Sequence, residues 1–123
     1  MELGHERLDV YKLALEVARW AAQQPIPAQR KHLRDQLVRA ADSVVLNGGP
    51  RRSRDCIAAR RRRLPAEGAG RELGDSRRNH FRIAAGSASE VAAVLDLVPL
   101  PGGPERQEEL RRVVAMLTKL ARR

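Results

Sequence analysis

The side chains able to attack, ligate or exchange protons are few and scattered along the 123 residues. Cys56 is the lone cysteine, and the neighbouring arginines would favour its thiolate. No histidine stands close in sequence to serve as its base, so an inert thiol is the simpler reading. A single cysteine also excludes an intrachain disulfide and a multi-cysteine metal site, which fits a reducing compartment. His5, His32 and His80 are dispersed. Glu2 and His5 form one ExxH pair, whereas a carboxylate-bridged dimetal bundle needs two such pairs and two further glutamates. Ser87 sits in AAGSAS, without the glycine-flanked turn after a strand that exposes a serine nucleophile. These residues predict no catalytic group, no resident metal and no cofactor.

Binding chemistry is concentrated elsewhere. The chain carries 24 Lys and Arg against 15 Asp and Glu, a net charge of +9, which favours polyanionic partners. Residues Gly48 to Leu64 hold Arg51, Arg52, Arg54, Arg60, Arg61, Arg62 and Arg63 against Asp55 alone, so 7 − 1 = +6 of that charge lies in seventeen residues. If helical, Arg60 to Arg63 advance by about 100° each and surround the axis, so guanidinium groups could meet phosphates on several sides. Such a run is equally the composition of a solvated charged segment with no ligand. Tyr11, Trp20 and Phe81 are the whole aromatic set, and all fall within helical patterns. Backbone contacts would therefore dominate over base stacking, with weak sequence specificity.

The elements that hold these residues read as helices. From Glu6 to Gln24, Leu8, Tyr11, Leu15, Ala18 and Ala22 form one helical stripe, while Val10, Ala14, Val17 and Ala21 form a second beside it. Pro25 and Pro27 stop this helix. A second helix spans about 28–46 on Leu33, Leu37, Ala40 and Val44, with Asn47 to Pro50 as its stop. A third spans about 76–98, from a Ser76 N-cap through Phe81, Ala84, Ala88, Val91, Leu95 and Val98. Gly86 inside it is expected to permit a close helix crossing. A fourth spans about 104–121 on Leu110, Val113, Leu117 and Leu120, with Pro104 and three glutamates suited to its start. Nothing alternates as a strand does, so the expectation is all-α: one domain, an antiparallel up-down four-helix bundle with a long Arg-rich connection between helices 2 and 3. No stretch approaches the ~20 apolar residues of a membrane span, and the N-terminus lacks a signal-peptide core. A cytoplasmic protein is expected.

The segments HERLDVYKLALEVA, LRDQLVRAADSVVLN and AEGAGRELGDSRRNHFRIAAGSASEVAAVL resemble the 23S rRNA intervening-sequence family of small bacterial four-helix-bundle proteins. The family pattern, of the type QLRRAAxSIxxNIAEGxGR followed by FxxFLxIAxGSxxE, is matched at Gln36, Leu37, Arg39, Ala40, Ala41, Ser43, Asn47, Glu67, Gly68, Gly70, Arg71, Phe81, Ile83, Ala84, Gly86, Ser87 and Glu90. Two departures stand out. The family runs from the asparagine into AEG almost directly, whereas here Gly48 to Leu64 intervene, and Ala85 stands where relatives often carry a basic residue. The resemblance implies a ring-shaped homo-oligomer, commonly a pentamer, and a basic accessory role beside retroelement reverse transcriptases for a similar bundle. Asn47, Glu67, Arg71, Ser87 and Glu90 could line a functional surface, or cap helices and join subunits together with Gly68 and Gly86.

Two functions follow as expectations. The first is a non-enzymatic homo-oligomeric bundle with salt-sensitive, weakly specific RNA or DNA binding through Arg51, Arg52, Arg54, Arg60 to Arg63 and Arg71. The second is a protein-interaction or scaffolding bundle, for example a partner of a reverse transcriptase.

Overall fold

In the computed structural model, residues 2–49 and 66–122 are described, with side chains described for 8–49 and 76–122. They form four helices: α1 (Glu2–Ala22), α2 (Lys31–Gly48), α3 (Ala66–Leu97) and α4 (Gly103–Ala121). A short 3-10 turn, Ala28–Arg30, leads into α2. No strand occurs among the described residues, so the fold is all-α. None of these helices is long and apolar enough to cross a membrane.

Each helix buries one stripe. Val10, Ala14, Val17 and Ala21 of α1 meet Leu33, Leu37, Ala40, Ala41 and Val44 of α2 in one core. Phe81, Ala84, Ala88, Val91 and Leu95 of α3 and Leu110, Val113, Leu117 and Leu120 of α4 complete it. Full burial of a leucine or phenylalanine contributes roughly 1.5–3 kcal/mol, and Leu37, Phe81, Leu110 and Leu117 are each almost wholly enclosed. Helix α1 packs on α2 and α4, and α3 packs on the same two, so α1 and α3 occupy opposite corners.

The ends are set by local chemistry. After α1, the Gln24 side-chain amide donates to the Trp20 carbonyl at 3.0 Å, satisfying an acceptor in the last turn. Before α4, Gly102 takes φ +82°, which glycine adopts without the Cβ penalty. Pro104 follows in the first turn of α4, along with Glu105. Arg106 then lies 5.7 Å from the Trp20 ring centroid and 2.7 Å from Glu109, tying the start of α4 to the end of α1.

Three sequence expectations are revised. Helix α3 begins at Ala66, ten residues before the expected Ser76 cap. Gly68, Gly70 and Gly74 read locally as loop, yet extending an established helix through a glycine costs only about 1 kcal/mol. Helix α2 runs through Asn47 to Gly48, so Asn47 belongs to its last turn and not to a stop. Gly86 makes no close crossing among the described residues: it is exposed, and a Cβ built there meets nothing within 4 Å. The tight crossing is at Gly48, where a Cβ would lie 3.2 Å from Leu117 of α4, 3.2 Å from Val10 of α1 and 3.5 Å from Ala84 of α3.

Candidate binding surfaces

Between α2 and α3 the core stripes are bordered by a line of polar groups. The Ser87 hydroxyl donates to Ser43 Oγ at 2.8 Å. The Asn47 amide donates to Ser43 Oγ and to the Ser43 carbonyl, each at 3.0 Å. Asn47 Oδ1 lies 2.7 Å from His80 Nδ1. A carboxamide oxygen only accepts, so Nδ1 carries the proton in this pair. Farther along, Arg30 donates to the Leu97 carbonyl at 3.3 Å, meeting an acceptor in the last turn of α3.

The direction of these bonds limits what the cluster can do. Ser43 Oγ receives two hydrogen bonds, and Ser87 gives its proton to another hydroxyl. An amide cannot take up a proton, so Asn47 does not relay one from either serine to His80. The arrangement is a clamp: a hydrogen-bond network across two helices, with Ser87 only 9% exposed, that fixes the register of α2 against α3.

Outside the clamp lies an open cleft of about 520 Å³. Ser43 and Ser87 contribute to it, with His32, Gln36 and Arg39 on the α2 side and Glu90 on the α3 side. The cleft exists because the residues facing each other across this part of the helix pair are short. Arg39 and Glu90 give its walls opposite charge. Among the described residues no group of three or more His, Cys, Asp or Glu is placed to hold a metal ion.

Of the residues singled out from sequence, Asn47 and Ser87 meet in one network, and Glu90 opens onto the adjoining cleft. Gly86 stands apart on the outer surface. Arg51, Arg52, Arg54, Arg60, Arg61, Arg62, Arg63 and Cys56 lie outside the described residues. Glu67, Gly68 and Arg71 fall within the backbone range of α3, but their side chains also lie outside the described set. Ser43 and His80 were not singled out as site residues. Their signal was helical spacing: Ser43 precedes Asn47 by four and His80 precedes Ser87 by seven, each beside a core stripe.

A second class of surface is apolar. Leu8, Leu46, Ile83 and Leu97 are exposed by 47%, 58%, 42% and 57%. On α1 the two sequence stripes have separated: Val10, Ala14, Val17 and Ala21 are buried, while Leu8 and Ala22 are exposed and Tyr11, Leu15 and Ala18 are half-buried. Compared with models of known families, with curated proteins and with solved structures, the chain matches none.

Proposed function

We propose that this chain is a homo-oligomeric bundle that binds RNA or DNA electrostatically, without catalysing a reaction. The observation that carries the reading is a division of labour along the chain. Among the described residues four large apolar side chains stand exposed, while +6 of the +9 net charge is concentrated in Gly48 to Leu64. Leu8 on α1 and Ile83 and Leu97 on α3 are apolar side chains that a second copy could cover, and a basic segment carried by every chain of an assembly is presented in several copies. The intrachain arrangement we propose is an up-down antiparallel bundle. The pairs Arg30 with Leu97, Ser43 with Ser87 and Asn47 with His80 support it, because residue numbers rise along α2 as they fall along α3. The resemblance to the intervening-sequence family supports a closed ring, of five copies in that family, and membership of that family is part of the proposal.

Mobility-shift titrations of duplex DNA and of RNA across a salt series test the binding claim. Affinity is expected to fall steeply with salt, because bound guanidinium groups displace counterions. Replacing all seven arginines between 51 and 63 by glutamine should abolish the shift and the salt slope together. Substitution is preferable to deletion from Gly48, since Gly48 is packed in the core. Unchanged binding by that variant would overturn the role of the segment, and the absence of any shift at low salt would overturn the nucleic-acid reading.

A further inference from the structure

Two exposed stripes, one on α1 and one on α3, share the same helical spacing and carry side chains of complementary size and charge. On α1, Leu8, Lys12, Leu15, Arg19 and Ala22 advance by steps of four and three. On α3, Ile83, Gly86, Glu90, Ala93 and Leu97 advance by steps of three and four. Steps that alternate this way keep one seam facing a partner helix. All ten residues are exposed except Leu15, which is half-buried. Resting on the assembly reading above, we propose that the α1 stripe of one copy docks on the α3 stripe of a second copy.

Aligned in parallel, Leu8 lies beside Ile83, Lys12 over Gly86, Arg19 over Ala93 and Ala22 beside Leu97. Each long cationic side chain then meets a small residue, so its stem can lie flat on apolar surface while its charged end extends. Lys12 and Arg19 stand on either side of the position facing Glu90, which supplies the opposite charge. At the first end, exposed Asp9 borders Leu8 and exposed Arg82 borders Ile83, a further pair of opposite sign. This alignment also accounts for Gly86. A glycine in the middle of a helix is unfavourable, and nothing among the described residues comes within 4 Å of a Cβ built there; a crossing helix from another copy would use the space.

The two stripes belong to helices at opposite corners of the bundle, so the contact is heterologous: each copy offers one surface forward and another behind. Part of each stripe borders α2. Glu90 shares a cleft with α2 residues Gln36 and Arg39, and Ala22 shares a groove with Arg34 and Val38 of α2. A head-to-tail series built on two faces that border one helix curves, as a closed ring requires.

Size exclusion with light scattering, run on the full chain, tests the contact. Wild type is expected at an oligomeric mass, and Glu90→Lys alone and Lys12→Glu with Arg19→Glu are each expected at single-chain mass. Mixing those two variants should give at least a two-chain mass, since the intact α1 stripe of Glu90→Lys can dock on the intact α3 stripe of the double variant. Gly86→Leu should also give a single-chain mass while its circular dichroism remains that of a folded helical protein. Variants that keep the wild-type mass would overturn these surfaces and leave the assembly reading standing. A single-chain mass for the wild type would overturn both.

Discussion

At the scale of single residues, the polar clamp between α2 and α3 has one member on which the others depend. Asn47 makes three of its contacts: two with Ser43 and one with His80. Ser87 makes one, to a hydroxyl that Asn47 also serves. Removing one hydrogen-bonding group from such a network costs about 1 kcal/mol when its partner keeps another bond, and more when buried partners lose theirs. Ser87→Ala should therefore lower the unfolding free energy by about 1 kcal/mol. Asn47→Ala should lower it by about 2 kcal/mol, because it takes a donor from Ser43 and the acceptor from His80 together. Urea titrations followed by circular dichroism measure both, and equal costs would contradict the ranking. Sequence alone showed Asn47 and Ser87 as separate motif positions. Their meeting depends on how two helices 40 residues apart are set against each other, which no local spacing contains.

At the scale of the helix, two glycines that look alike in sequence have different surroundings. Gly49 cannot take a side chain without displacement: a Cβ there would lie 2.7 Å from Tyr11 and 2.7 Å from the Val45 carbonyl. Gly49→Ala should destabilise by about 2 kcal/mol through overpacking against a backbone atom. Gly86 faces open space, so Gly86→Ala should raise the stability of the single chain by about 1 kcal/mol through helix propensity. Thermal unfolding of the two variants at low protein concentration separates the signs. The core stripes of α2, α3 and α4 were legible because leucine, valine and alanine recur there at helical spacing. The early start of α3 was not, because Gly68, Gly70 and Gly74 lower local propensity without preventing a helix. Nor did the pattern rank the two α1 stripes. Both have helical periodicity, and only packing against α2 and α4 determines that Val10, Ala14, Val17 and Ala21 are enclosed.

At the scale of the whole molecule, the most extensive packing joins α2 and α3, the two helices that flank the basic segment in sequence. Helices α1 and α2 form one packed pair and α3 and α4 another, and the pairs are joined by the α2 to α3 and α1 to α4 contacts. Gly48 lies where side chains of α1, α3 and α4 approach α2, and the basic segment follows it directly in sequence. The core therefore gets its cohesion from contacts between the two pairs, which do not require the peptide linkage between them. The protein should tolerate being made in two pieces. Residues 1–49 and 66–123 expressed together are expected to co-purify as a folded helical complex, whereas either piece alone would expose its half of the core and aggregate. Failure of the pieces to associate would mean that chain connectivity, and not side-chain packing, holds the halves in place. Success would make the two pieces a reporter of reassembly and would open residues 50–65 as a site for new chain ends or an inserted domain.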